Sequence, residues 1–344
     1  MKVTGRRSLA LAIATVTAVL LSLGSCEAPL SPDDVTDDPN GFTEGSRIPP
    51  LSIIEGTIEL SDMIVFELLD WPEDQELPDG VEIVFDGDET SGTMTITLDN
   101  YPRDPEPPQP VVNGEVIVEY EFDGLEEIGT LVVNGEVAVT GHPPFTEAEV
   151  IFIDTTWIMP LEEGDEEDDT DPLRVEVSGS IVFNNVEYQM RDILRAVQSA
   201  VILDRFVGQT ILPIAHGFYE SHEEWVDPEN VEVEWVDDES GPISITFTAF
   251  DPTGEGLGFT ITGIIVVDID GDPEEGLVDV SFDGSVTAEN FPFATVSLDP
   301  LVASWESGIV GDADSLAGSM TLDGFTYPGD YLMEILALFD DEEE

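Results

Sequence analysis

The chain repeats itself, and the repeat limits what it can fold into. Val81-Glu82-Ile83-Val84-Phe85 matches Val231-Glu232-Val233-Glu234-Trp235, and Met94-Thr95-Ile96-Thr97-Leu98 matches Ile243-Ser244-Ile245-Thr246-Phe247. Gly114 and the run 116–120 match Gly263 and the run 265–269, and Asn134-Gly135 matches Asp283-Gly284. The pairs that begin at Met94, Gly114 and Asn134 all stand 149 residues apart. Further on, Pro144-Phe145 matches Pro292-Phe293, and Ser178-Gly179-Ser180-Ile181 matches Ala317-Gly318-Ser319-Met320. An acidic insert at 162–171 in the first copy accounts for part of the shorter spacing there. Residue-type matches at constant spacing define two tandem copies, 51–188 and 189–340.

Each copy reads as mainly β. The segments 81–85, 93–98, 114–122, 130–140, 148–158 and 175–183 alternate apolar with polar or acidic residues and favour Val, Ile, Thr and Phe. Asn113-Gly114, Asn134-Gly135 and Asp283-Gly284 are hairpin-turn dipeptides by type. Each stands inside an alternating run, so bulges or bends are the competing expectation. Short links and alternation predict antiparallel pairing with one face wet. From 188 to 207 apolar residues recur at Met190, Ile193, Leu194, Val197 and Val201, one helical stripe joining the copies. The run 330–339 looks like the start of the same helix in the second copy, and 54–69 is ambiguous between helix and strand. The expected architecture is α+β, dominated by β: two repeats, each a curved antiparallel sheet with one associated helix. The pattern leaves open whether the copies form two domains or one body with a pseudo-twofold axis.

The first residues carry Lys2, Arg6 and Arg7 and no acid, and an uninterrupted small and apolar run follows from Ser8 to Leu23. That is the layout of a secretory signal, and the run is short for a membrane span. It ends Leu23-Gly24-Ser25-Cys26, which resembles the lipobox of bacterial lipoproteins. The resemblance covers only these first residues. It implies a signal peptide over 1–25, cleavage before Cys26, and acyl chains such as palmitate on that thiol, the chain's one cysteine. It also implies an extracytoplasmic place in the cell envelope, on the inner or outer membrane. The Pro-, Asp- and Gly-rich stretch 26–50 then reads as a flexible acidic tether, and 341–344 as an acidic tail.

After Cys26 the chain holds six arginines, no lysine and all 76 acids, a formal charge of −70. A surface of that sign repels nucleic acid and anionic headgroups, which excludes a DNA- or RNA-binding role and leaves the lipid as the link to a membrane. Two causes compete for the acidity: a surface for cations or basic proteins, or adaptation to a saline habitat where salt screens self-repulsion. The even spread of acids favours the second. Periodic apolar runs within 41% hydrophobic residues argue for a folded body rather than disorder.

No catalytic constellation stands out. There is no G-x-S-x-G, no H-E-x-x-H and no Gly-rich phosphate loop, and no zinc spacing can be assembled from Cys26, His142, His216 and His222. His216 and His222, six apart around Gly217, read as polar loop residues. Asp268, Asp270, Asp272 and Glu275 place carboxylates at short spacing near a turn, the donor type calcium takes, although the glycine lies two places early for an EF-hand. The first copy has Glu119, Glu121, Asp123 and Glu126 at corresponding places. The competing reading is a wet strand face. Arg191, Arg195 and Arg205 lie on the joining helix, where pairing with sheet acids is expected. Trp71, Trp157, Trp225, Trp235 and Trp305 raise carbohydrate stacking as one reading; against it, Trp235 stands at the position of Phe85 in an alternating strand and reads as core or half-buried, and Trp71 and Trp225, just before each copy's first clear strand, read as structural. The expectation is a non-enzymatic binding or surface-interaction module with no cofactor beyond calcium. The alternative is a carrier of lipid or another apolar ligand between helix and curved sheet. A carboxylate-based hydrolase stands third.

Overall fold

The computed structural model describes residues 48–61, 68, 77–88, 90–102, 111–123, 128–142, 145–160, 175–221, 225–236, 241–251, 260–272, 275–289, 293–306, 309 and 313–338. The expected alternating runs are strands. β1 (Val81–Gly87), β2 (Ser91–Pro102), β3 (Val111–Asp123), β4 (Ile128–His142), β5 (Phe145–Pro160), β6 (Glu176–Phe183) and β7 (Val186–Gln189) form one sheet in sequence order. β8 (Val231–Trp235), β9 (Ile243–Phe250), β10 (Thr260–Asp272), β11 (Glu275–Glu289), β12 (Thr295–Trp305), β13 (Ser315–Leu322) and β14 (Phe325–Pro328) form the other, again in sequence order. Every neighbouring pair is antiparallel, and neither sheet closes on itself. Helices α1 (Leu51–Ser61), α2 (Met190–Ile202), α3 (Leu212–Ser221) and α4 (Gly329–Ala337) flank the strands. The chain divides into two compact units between Val197 and Gln198, with the residues from Ala337 onward counted in the first.

The Gly-containing dipeptides follow the second of the two expectations, bends within strands. None of the three is a hairpin turn; all lie inside strands. Gly114 on β3 and Gly135 on β4 both take φ +147, and Gly263 and Gly284 repeat them at +155 and +139. A Cβ on Gly114 would overlap the carbonyl oxygen of Glu136, and one on Gly135 that of Glu115. Only glycine permits both that backbone and that approach. The flanking strands bulge at the same level. Asp99 and Asn100 of β2 both face Asn113, and Ile153 and Asp154 of β5 both face Asn134. The extra residues turn to positive φ, 54° at Asn100 and 45° at Asp154. Their N–H groups are recovered by the neighbouring side chains: Asn100 donates to Asn113 Oδ1 and Asp154 to Asn134 Oδ1, each at 2.8 Å. On β6, Gly179 completes the line at φ +83.

The second copy draws the same line through Thr248 and Ala249, Gly263, Gly284, Asp299 and Pro300, and Gly318. Ala249 donates to Thr262 Oγ1 at 3.0 Å, replacing the asparagine contact. Bulges and glycine bends aligned across adjacent strands curve an open sheet. The Asn-Gly signal was therefore a bend signal, because each dipeptide has its strand continuing on both sides.

The inner faces are filled. Met94, Ile96, Val116, Val118, Leu131, Val133, Val137, Val150 and Ile181 are 0% exposed, so no water-sized space borders them. Ile53 and Ile54 of α1 are buried as well, and the described start of the ambiguous run 54–69 is helical to Ser61. In the second unit, helix meets sheet directly: Phe206 lies 5.8 Å from Phe247, and Phe218 lies 5.2 Å from Trp235, between ring centroids.

The joining helix runs further than periodicity implied. After α2 comes a π-helical stretch, Leu203–Ile211, in which Leu212 N–H donates to the Val207 carbonyl and Thr210 Oγ1 donates to the Arg205 carbonyl. The chain then continues as α3 to Ser221. The apolar stripe read from the sequence ends near Val207, and His216 and His222 beyond it read as loop residues. The wider π turn accommodates Pro213, which has no N–H to offer and whose ring would crowd a regular preceding turn. Gly217 serves packing, since a Cβ there would stand 2.7 Å from the Trp225 ring. The hairpins β6–β7 and β13–β14 also escaped the sequence reading. Asn184-Asn185 and Asp323-Gly324 turn them with positive φ at both residues, as a type I′ turn requires.

Gly135→Ala should destabilise the first unit by at least about 2 kcal/mol through backbone strain and overlap. Gly324→Asn, which copies Asn185 into open space, should be nearly neutral. Ala249 holds φ +49, a conformation costly for alanine and tolerated by asparagine. Ala249→Asn should therefore stabilise by about 1 kcal/mol. Urea unfolding of the variants checks all three.

Candidate functional site

Alternation places one set of side chains inward, so any contact surface is built from the other set. Register then decides which outward residues meet. Next to the bend, one row crosses all seven strands of the first sheet: Glu82, Thr97, Glu115, Glu136, Ile151, Val182 and Glu187. Glu115 and Glu136 are direct partners, which brings two carboxylates to about 5 Å at Cβ with no cation of the row between them. Like charges so placed repel, and salt or a bound cation relieves the repulsion. At the bend, beside Gly114, Gly135 and Ala138, lies an open groove of about 620 Å³. Asn113, Glu115, Glu136 and Ile151 line it.

The equivalent row of the second sheet has different chemistry: Glu232, Thr246, Ile264, Ser285, Ser297, Thr321 and Thr326. Ile264 and Ser285 stand where Glu115 and Glu136 stand. Thr262, Thr287 and Thr295 form a second hydroxyl row beside it, and Thr287 Oγ1 donates to the Thr262 carbonyl at 3.1 Å. The duplicated framework thus presents one acidic and one hydroxyl-rich outer face.

The four carboxylates considered for calcium are divided by the register. Asp268 and Asp270 are exposed on β10, but Asp268 faces Ser281 and Asp270 faces Asp279. Asp272 faces Glu275 across the hairpin, beyond a bulge at Gly271. The side chains of Asp272 and Glu275 lie outside the described residues. Asp279, which the sequence did not single out, accepts from Ser304 Oγ at 2.5 Å. Beside Asp268, the Tyr219 hydroxyl donates to the Gly241 carbonyl at 2.7 Å. Burial pushes its pKa up, and the Asp268 charge adds to that. Among the described residues, no group of three or more His, Cys, Asp or Glu gathers to hold a metal ion. In the first copy, Glu119 faces Val132 and Glu121 faces Thr130, so those acids have no acidic partner across the strand.

His216 lies on α3, not in a loop, and its Nε2 is 3.7 Å from Glu220 one turn on. Arg191 Nε lies 3.5 Å from Asp192, its own neighbour rather than a sheet acid. Trp157 and Trp305 are buried, and Trp235 packs edge-on against Tyr219. Trp225 Nε1 donates to Asp227 at 2.9 Å. Cys26, Trp71, Glu126, the acidic run 162–171 and His222 lie outside the described residues, as do the side chains of Asp123 and His142.

The Glu115–Glu136 pair was hidden from the sequence because the acids are 21 places apart and nothing local announces their pairing. The repeat held a clue, since the two outer rows diverge at otherwise equivalent positions. No family model, curated protein or solved structure matches the chain.

Of the candidate calcium ligands the register sets only Asp272 and Glu275 opposite one another, with Asp268 opposite Ser281. Millimolar calcium is therefore expected to raise the melting temperature no more than sodium chloride of equal ionic strength. A calcium-specific rise, lost in Asp270→Asn, would instead place a cation on this hairpin.

Proposed function

We propose that this chain is a lipid-anchored, non-enzymatic binding module of the cell envelope, tethered through acyl chains on Cys26. Its outer sheet face in the first unit receives cationic ligands or basic segments of other proteins. The observation that carries this reading is the contrast between the two sides of that sheet. The inner side is consumed by its own core, with Met94, Ile96, Val116 and Val133 at 0% exposure. The outer side opens as a groove of about 620 Å³ beside Glu115 and Glu136.

The chemistry follows from charge. A net formal charge of −67 draws cations from a distance and speeds encounter, while the groove supplies a place where they meet two carboxylates. Ile151 and Ala138 add apolar contact for the stem of a lysine or arginine side chain. An apolar cargo between helix and sheet is less well supported, because the inward side chains leave no water-sized space beside them.

The anchor reading rests on the apolar run ending Leu23-Gly24-Ser25-Cys26. No helix among the described residues is long and apolar enough to cross a membrane. A body this acidic is repelled by anionic headgroups, which leaves the lipid to hold it. Cys26→Ser should therefore move the protein from the membrane fraction to the soluble fraction of fractionated cells, and retention in the membrane would overturn the anchor.

A further inference from the structure

We infer that β1 is a docking edge, where an extended segment of a basic partner protein adds an antiparallel strand to the first sheet. The inference takes from the proposed function only the positive charge of the partner. Its site is the sheet edge rather than the groove.

Among the described strands, every other sheet edge is shorter. β7 and β14 have four residues each. β8 has five, and its inward side is sealed: Val231 and Val233 are 6% and 7% exposed, and Trp235 lies 5.2 Å from both Phe218 and Tyr219. β1 has seven residues, and among the described strands none pairs with its outer edge. Its side chains are open on both faces, Val84 at 55% and Phe85 at 48% exposure.

The hydrogen-bond phase of β1 suits a new strand. Asp99 N–H donates to the Gly80 carbonyl at 2.7 Å, and Asp88 N–H donates to the Ser91 carbonyl at 2.9 Å. Residues 80 and 88 therefore face β2, and alternation gives 82, 84 and 86 the same direction. Val81, Ile83 and Phe85 point their backbone groups the other way. Val81 N–H is held by the Pro78 carbonyl at 3.1 Å, which caps one end of the edge. The central backbone pair offered to an incoming strand is that of Ile83.

Charge selects the occupant. Glu82 and Asp86 flank Val84 on the outer side, Asp79 and Asp88 stand just beyond, and no basic residue lies between 77 and 102. A second copy of this chain would bring the same acids to the edge and a net formal charge of −67 with them. An extended basic segment instead sets cations against Glu82 and Asp86 and apolar side chains beside Ile83 and Phe85. This is strand addition, in which backbone bonds supply affinity and alternate side chains supply specificity.

The test uses the full chain carrying Cys26→Ser and the labelled, capped peptide Lys-Val-Thr-Val-Lys-Val, followed by fluorescence anisotropy near physiological salt. The control peptide has proline at each valine, with equal charge and no capacity to pair. The valine peptide should bind and the proline peptide should not. Ile83→Pro removes the N–H at the open edge while sparing the bonds of 82, 84 and 86 to β2, and should weaken binding by about tenfold or more. Glu82→Gln with Asp86→Asn should also weaken it and flatten its salt dependence. Because proline could loosen β1 itself, hydrogen exchange on the unsubstituted edge gives a second reading. The peptide should protect the Ile83 amide and leave that of Val233 unchanged. Equal binding of both peptides, full binding by Ile83→Pro or an unprotected Ile83 amide would overturn the inference. So would absence of binding. The anchor would stand or fall separately, on membrane fractionation.

Discussion

The close approach of β3 and β4 at Gly114 and Gly135 is the constraint on which the rest depends. Carbonyl oxygens of Glu136 and Glu115 sit where any Cβ would have to go, so the two strands touch through backbone alone. The bulges at Asn100 and Asp154 and the bend at Gly179 continue that contact across five strands. A flat meander would leave much of its apolar face in water. Bent along this line, the sheet buries the inward side chains of its central strands. The same line, seen from outside, is the floor of the groove, so the device that closes the core also shapes the contact surface.

Duplication preserved that device while freeing the outer face. The bend is reproduced nearly residue for residue, even where chemistry differs: Thr262 replaces Asn113 as acceptor for the bulge N–H, and Pro300 stands where Asp154 donates. The outward row changed wholesale, from Glu115 and Glu136 to Ile264 and Ser285. Positions that carry the bend admit few side chains because space and φ forbid others. Positions facing water are limited only by solubility and by what they touch. The difference between the copies therefore belongs to their surfaces and edges, where binding would act.

Much of the fold was legible because a strand writes its period into the sequence. Alternation located six of the seven strands of the first copy, and the apolar stripe located α2. What escaped was short or disguised. β7 has only four residues, too few to show a period. The apolar stripe read from the sequence stops near Val207, and beyond it a π turn absorbs Pro213 while Gly217 packs against Trp225. The candidate site was less legible still. The clustered acids from Asp268 to Glu275 drew attention because they are adjacent in sequence, whereas the opposed carboxylates Glu115 and Glu136 come from different strands.

The sequence by itself determined the number of copies, the faces of their strands and the sign of their surface, because periodicity and charge are local properties that survive any arrangement of the chain. Tertiary structure decided who stands opposite whom. Whether Asn134-Gly135 turns a hairpin or bends a strand depends on whether the chain on each side finds a partner, and both sides do. Whether an edge-strand side chain is packed or exposed depends on what lies beside it: Trp235 on β8 packs against Phe218, whereas Val84 on β1 is 55% exposed. Register and edge are set by bulges and by neighbours distant in sequence, and the alternation of a single strand carries no information about either.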